Sequence, residues 1–173
     1  MEVSKGSMPG IHNKRDGDMS GEELAQCLLD METWLSTNAA DLADPFLKAA
    51  GASPEELAKL PDGSPEVLKG LLAKHNGHLP VLDFVLFSCS EVAEACASNK
   101  ASDKWKEGTV PLGKNPDGDL LVVCASGVHR WDPELGLGMV ESESLSTYLE
   151  KYRDLMVQGK LEYVEDCGIM EIA

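Results

Sequence analysis

Basic residues are scarce in this chain. It carries 15 Lys and Arg against 30 Asp and Glu, so its formal net charge at pH 7 is −15. Nucleic-acid binding requires clustered cations that displace phosphate counterions, and anionic membrane surfaces attract the same cations. The charge balance therefore argues against a nucleic-acid partner and a membrane partner, and it favours a basic protein partner. The simpler interpretation is that the charge only keeps the protein soluble.

Long apolar runs are missing, and aromatic residues are few. No run approaches the roughly 18 apolar residues of a membrane-spanning helix, and the N-terminal residues contain no apolar segment typical of a secretory signal. Aromatic residues make up 5% of the chain, so aliphatic side chains must fill the core. A chain of 173 residues suits a single domain.

The five cysteines do not form a ligand motif. Their number is odd, their spacing is wide, and no Cys-x-x-Cys pair occurs. Several lie in apolar surroundings, where a free thiol behaves as a small hydrophobic side chain. Free thiols are typical of a reducing compartment, which predicts a cytoplasmic protein. No metal and no cofactor is predicted. The cysteines are Cys27, Cys89, Cys96, Cys124 and Cys167.

Motifs for catalysis are absent as well. The sequence contains no Gly-x-Ser-x-Gly nucleophile elbow and no glycine-rich phosphate loop of the GxGxxG or GxxxxGK[ST] type. Ser, Cys, His and acidic residues all occur, but their spacing does not assign a nucleophile, a base and an orienting acid. No catalytic residue is therefore predicted. An enzyme whose site is assembled from distant residues stays an alternative.

One cluster of oxygen donors, at Asn115, Asp117 and Asp119, invites a calcium interpretation. An EF-hand register that places Gly118 at the sixth loop position places Gly113 at the first, where a carboxylate is required. The segment is better explained as a hairpin turn, because Asn, Pro, Asp and Gly each favour a backbone conformation or hydrogen bond that turns require.

A histidine pair, His75 and His78, invites a second metal interpretation. Asn76-Gly77 between them breaks the helix, so the two rings need not converge, and no third ligand lies nearby in the sequence. A surface or capping role is predicted for both histidines.

Apolar residues at helical spacing predict several helices. Residues 1–19 lack any apolar period and are predicted to form a flexible tail, which leaves 20–173 as a single domain. Start signals stand at Ser20, Ser53-Pro54 and Ser64-Pro65. The predicted helices cover 21–36, 38–51 with an interruption at Pro45, a short segment from 54, a segment from 66 to His75, 90–98, and a last helix that begins at Ser142 or Ser144 and ends at Gly159.

The segment 105–131 predicts an antiparallel meander, because short apolar segments alternate with turn-forming residues. The stretch Gly136-Leu137-Gly138 is predicted to be a flexible link. Strands do not alternate regularly with helices, so the sequence predicts an α+β fold with a mostly antiparallel central sheet and helices packed on one face. The predicted strands are 81–87, 109–112, 119–125, 127–131, 161–164 and 169–172.

Four residues of the meander are candidates for contact with a partner. Trp105 and Trp131 flank the meander, and each either closes the core or offers the large rigid surface of an interaction hot spot. His129 stands between two strand residues, where a lone histidine is typically a partner-facing or cross-strand residue. The candidate partner-binding set is Trp131, His129, Arg130 and Trp105.

Several segments resemble the SUKH superfamily, which includes the fungal cell-wall-assembly regulators of the Smi/Knr type. LPDGSPEVLKGLLAKHNG (60–77) is similar to the family's leucine-proline start, amphipathic helix and terminal asparagine-glycine. VLFSCSEVAEA (85–95) is similar to its next strand and short helix. The remaining similarity lies in Trp105, VPLGKNPDGDLLVV (110–123), GVHRWDPE (127–134) and the closing helix at 142–158.

The resemblance covers about 50–158. It implies a SUKH-like α+β fold and, mostly, non-enzymatic protein binding, as in signalling scaffolds, bacterial immunity proteins and a similar accessory subunit of a tubulin polyglutamylase. The leader before Leu60 is longer than in a minimal family domain, and the tail after 158 adds predicted strands. We therefore expect a protein-interaction module, scaffold or complex subunit. An immunity-type inhibitor of a basic toxin or nuclease is the alternative.

Overall fold

Helices dominate the first part of the chain, and strands dominate the second. The computed structural model describes residues 18–172. The helices in this range are α1 (Gly21–Asn38), α2 (Ala40–Lys48), α3 (Pro54–Leu57), α4 (Glu66–Lys74), α5 (Cys89–Asn99) and α6 (Leu145–Val157). The strands are β1 (Pro80–Val81), β2 (Phe84–Leu86), β3 (Val110–Lys114), β4 (Leu120–Cys124), β5 (Gly127–Asp132), β6 (Gly136–Ser142), β7 (Leu161–Val164) and β8 (Gly168–Glu171). The predicted α+β class is confirmed.

Three helices begin with a capping box that is visible in the sequence. At Ser20, Ser53 and Ser88 the hydroxyl accepts a hydrogen bond from the backbone N–H three residues later, and the glutamate at that position accepts from the serine N–H. The last helix begins after Ser144, whose hydroxyl accepts from the Thr147 N–H. Ser64 differs from its prediction. Its hydroxyl donates to the Pro61 carbonyl at 2.7 Å instead of capping α4.

Replacing Ser88 by alanine removes the cap of α5. We expect a loss of about 1 kcal/mol in the free energy of unfolding, because the Glu91 N–H loses its acceptor at the start of the helix. Urea denaturation of the purified protein measures this loss of stability. The matched control is Ser88→Asp, which retains an acceptor and should stay within about 0.5 kcal/mol of the parent. Equal losses in both variants would contradict the capping role.

The main sheet is a meander of six strands in the order β1-β2-β3-β4-β5-β6, and every neighbouring pair is antiparallel. The predicted antiparallel sheet is thus confirmed. The prediction of one strand over 81–87 is wrong, because Leu82 has φ 55° and turns the chain into a short β1–β2 hairpin.

The predicted flexible link at 136–138 is also wrong, because it forms the start of strand β6. Gly136 has φ 87°, which completes the turn from β5. A Cβ on Gly138 would lie 3.0 Å from the Arg130 carbonyl oxygen. These glycines therefore permit a tight turn and a close approach of two backbones, and they do not mark flexibility.

A second, two-stranded sheet closes the described part of the chain. Strands β7 and β8 pair antiparallel, with Leu161 opposite Glu171. Both predicted C-terminal strands are confirmed. Leu161 and Ile169 are buried in the main core, so the hairpin is anchored by its apolar side chains.

One cluster of buried side chains extends from α1 to β8. Helix α1 contributes Leu28, Met31 and Leu35. Consecutive residues of β4 from Leu120 to Val123 are all buried, so both faces of the middle of the sheet are covered. None of the helices in the described range combines the length and apolar character that crossing a bilayer requires.

The predicted flexible tail needs one correction at its end. Residues 1–17 lie outside the described residues. Met19 belongs to the folded part, because its side chain packs against the core and its N–H donates to the Ser146 hydroxyl at 3.0 Å. This bond places the chain leading into α1 beside the first turn of α6.

Candidate functional site

Trp131 is a core residue. Its side chain is 2% exposed, and it meets Trp105 edge to face with ring centroids 5.1 Å apart. The interpretation of Trp131 as an exposed anchor is therefore wrong. The reason is that the face of β5 that carries Trp131 packs into the core cluster, where Trp105 contacts the ring. His129 on the same strand is also buried and does not face solvent.

Arg130 and Trp105 are more accessible. The Arg130 guanidinium lies over the Phe84 ring, 4.7 Å from its centroid, and within 3.4 Å of Asp83 and 3.6 Å of Asp119. Trp105 is half-buried against the core. Arg130 is thus already held by internal partners. A partner-binding role for Arg130 and Trp105 stays a prediction.

The donor-rich turn and the histidine pair have structural roles. The Asn115 side-chain oxygen accepts from the N–H groups of Asp117 and Asp119, which confirms the turn interpretation. The His75 backbone N–H donates to a carbonyl of α4, so its predicted capping role is confirmed. Within residues 18–172 no group of three or more His, Cys, Asp and Glu side chains could hold a metal ion.

The His75 ring was not predicted to be mostly buried. Its Nε2 lies 2.6 Å from a Glu32 carboxylate oxygen, and the ring stacks on Phe46 with centroids 4.2 Å apart. This contact joins α1, α2 and the end of α4. No local pattern in the sequence signals it, because the two partners are 43 residues apart.

Burial raises the pKa of several side chains that pack in the core. The pKa of the Cys27 thiol rises to about 11, chiefly because the thiol is desolvated, and its sulfur lies 3.8 Å from the Leu149 carbonyl oxygen. Desolvation also raises the pKa of Tyr148 and Tyr152. The Tyr152 hydroxyl donates to the Pro80 carbonyl at 2.8 Å. These groups are neutral near pH 7 and act as packing and hydrogen-bonding residues.

A cavity of about 600 Å³ lies between the first turns of α4 and α6 and the adjoining ends of β3 and β4. Its apolar wall comes from Val67, Val110, Val123 and Leu145. Cavities of roughly 300–1,000 Å³ with apolar walls are the usual size of ligand pockets. The four segments are far apart in the sequence, so local patterns could not predict that they share one wall.

Among the residues that the structure describes, the charged side chains that line the cavity are all carboxylates. They are Asp18, Glu66 and Glu143, and no Lys, Arg or His of the described residues lines it. Glu66 lies in the first turn of α4, where it also offsets the positive end of the helix, and it pairs with Lys69 at 3.1 Å. Glu143 is exposed, next to the cap of α6. The cavity thus combines apolar walls with an acidic rim.

The hydroxyl groups in the wall are engaged in holding the helix starts. Ser64 donates to Pro61, Ser144 caps α6, and Ser146 accepts from the Met19 N–H. Each of these three hydroxyls is therefore part of the local backbone structure that shapes the wall. Cys124 completes the wall at the end of β4.

Comparison with known proteins leaves the family open. No protein-family model matches this chain, and no curated protein matches its sequence.

Proposed function

We propose that this protein is a non-catalytic interaction module, or a subunit of a larger complex, that binds a basic segment of a protein partner in the cavity between α4 and α6. The observation that carries the proposal is the cavity's lining, in which every charged side chain from residues 18–172 is a carboxylate. The net charge of −15 acts in the same direction, because it attracts a basic partner from a distance.

The cavity suits lysine and arginine side chains in particular. Their aliphatic stems pack against apolar surface while their charged ends stay near water or a carboxylate. Val67 and Leu145 supply the apolar surface, and Glu66 and Glu143 supply the carboxylates. The carboxylates at the rim keep contact with solvent, so each should contribute modestly, and affinity should fall as salt rises.

The sequence resemblance supports the same proposal. A SUKH-like domain would be expected to bind a protein, as a scaffold or complex subunit. The five free cysteines agree with a cytoplasmic location for such a module.

Neutralising the rim of the cavity should weaken binding of a basic peptide. The probe is a fluorescein-labelled oligolysine peptide, and fluorescence anisotropy measures its affinity. We expect the double variant Glu66→Gln/Glu143→Gln to bind about five- to tenfold more weakly, because two charge contacts of about 0.5–0.7 kcal/mol each are lost.

The matched control is Glu94→Gln/Glu162→Gln. It has the same net charge, and its two exposed carboxylates lie on α5 and β7, outside the cavity. Its affinity for oligolysine should stay within about twofold of the parent. Equal weakening in both double variants would show that the peptide responds only to total charge, and the cavity would then not be the binding site.

A further inference from the structure

The turn between β4 and β5 brings three reactive side chains into one chain of contacts. The Cys124 sulfur lies 3.4 Å from the Ser126 hydroxyl oxygen, and that oxygen lies 2.8 Å from Nε2 of His129. On the other side of the ring, Nδ1 lies 2.9 Å from the Gly138 carbonyl oxygen. Sequence spacing alone does not reveal this arrangement, because it depends on a two-residue hairpin and on a contact between neighbouring strands.

The hydrogen-bond inventory fixes the direction of each contact in the neutral state. A backbone carbonyl only accepts, so Nδ1 of His129 carries the proton and donates to Gly138. Nε2 is then an acceptor and receives the Ser126 O–H. The Ser126 oxygen has no second proton, so it accepts from the Cys124 S–H.

The same heavy-atom positions also accommodate the charged state. When the imidazole holds two protons, Nε2 donates to Ser126, and the Ser126 O–H turns to donate to a Cys124 thiolate. Both states keep every contact. A proton can therefore pass from the thiol to His129 through Ser126 without any movement of the backbone. Nucleophiles activated through an oriented base have this type of arrangement.

Cys124 is distinguished from the other four cysteines. Cys27, Cys89 and Cys96 are buried. Cys167 is exposed, and within the described residues it has no hydroxyl or imidazole contact of this kind. Cys124 is partly exposed, so a small molecule can reach its thiol, and the residue adjoins the cavity at the end of β4.

We propose that Cys124 is a reactive thiol that exchanges with small cationic disulfides, and that Ser126 and His129 relay its proton. The thiol proton passes through Ser126 to His129, and the Cys124 sulfur attacks one sulfur of the disulfide. A new S–S bond forms, the disulfide's own S–S bond breaks, and the released thiolate takes up the proton. Cys124 is oxidised, and one half of the disulfide is reduced. Asp18, Glu66 and Glu143 around the cavity favour a cation over an anion.

Cystamine, a dicationic disulfide, is the probe. The folded full-length protein is mixed with cystamine, quenched with acid at intervals and digested, and mass spectrometry gives the rate of adduct formation at Cys124 and at Cys167. We expect Cys124 to react at least about tenfold faster than Cys167, within the range of proton-transfer assistance by a positioned base. Equal rates at the two cysteines in the unmodified chain would overturn the proposal.

Variants of Ser126 test the relay itself. Ser126 is exposed, so Ser126→Ala should leave the fold intact, as circular dichroism and thermal unfolding can verify. In this variant the Cys124 rate should fall to within about twofold of the Cys167 rate, whereas Ser126→Thr should preserve the difference, because only a hydroxyl can pass the proton. An unchanged Cys124 rate in Ser126→Ala would refute the relay, whatever the outcome with oligolysine.

An anionic aromatic disulfide, 5,5′-dithiobis(2-nitrobenzoate), tests the preference for cations. The Glu66→Gln/Glu143→Gln variant should lower the ratio of cystamine rate to dithiobis(nitrobenzoate) rate at Cys124 by about three- to tenfold, because carboxylates attract the first reagent and repel the second. The corresponding ratio at Cys167 should not change. An unaltered ratio at Cys124 would overturn the assignment of a cationic substrate.

Discussion

Replacing Trp131 by alanine is expected to lower the free energy of unfolding by about 3–5 kcal/mol, as is usual for a large aromatic side chain removed from a core. The side chain is 2% exposed and packs edge to face on Trp105. Its loss leaves a cavity in the core beside Trp105, and the paired backbone of β5 cannot move far enough to fill it. Urea denaturation, followed by circular dichroism, measures the change. Domains are commonly stable by only about 5–15 kcal/mol, so the variant should be close to unfolding.

Two further variants separate packing from hydrogen bonding. The Trp131 Nε1 is buried without a hydrogen-bond partner in the described structure. Trp131→Phe removes that polar atom and keeps an aromatic ring, so it should cost about 1–2 kcal/mol, less than the alanine variant. Trp105→Ala should also cost less, because Trp105 is only half-buried. A Trp131→Ala protein as stable as its parent would exclude the core role.

Helix starts could be predicted because their causes are local. The predicted caps at Ser20 and Ser53, and the observed cap at Ser88, each depend on a serine and a glutamate three residues apart. This spacing is visible in the sequence without any knowledge of tertiary structure. Ser64 shows the limit of the rule, because its hydroxyl bonds back to Pro61 and leaves the start of α4 without a side-chain cap.

Glycines were the main source of error in the sheet. The sequence predicts a flexible link at Gly136 and Gly138, yet both residues lie in strand β6. A glycine in a sequence indicates either freedom or a lack of space, and only the neighbouring backbone decides between them. At Gly138 the neighbour is the Arg130 carbonyl on β5, which no sequence pattern reveals.

Exposure of the predicted binding residues could not be predicted for a related reason. Trp131 and His129 lie beside Arg130 and Asp132, so the local sequence is compatible with an exposed strand. Tertiary contacts decide the outcome, because Trp131 packs in the core cluster against Trp105 and the His129 ring contacts the Gly138 carbonyl of β6. The acidic cavity likewise depends on four segments that only the tertiary fold brings together. Only the excess of acidic residues hinted at its charge.

Replacing Gly127 by alanine should lower the free energy of unfolding by about 2–6 kcal/mol, because two penalties of about 1–3 kcal/mol each coincide. Gly127 has φ 126°, a conformation that other residues adopt only with strain. A Cβ at this position would also lie 2.2 Å from the Ser142 carbonyl oxygen on β6. That oxygen belongs to a paired backbone, so relief requires β5 and β6 to separate where Val128 pairs with Ser142.

Gly118→Ala supplies the control for Gly127→Ala, because it isolates the conformational penalty. Gly118 has φ 92° in the neighbouring β3–β4 turn, and nothing lies within 4 Å of the position its Cβ would take. Its alanine variant should therefore cost only about 1–2 kcal/mol. Urea denaturation of both variants gives the difference between their losses in free energy of unfolding. That difference is the energetic cost of the steric contact between β5 and β6. If both variants lost the same stability, the close approach at Ser142 would carry no energetic cost, and the tight packing of β6 against the start of β5 would be refuted.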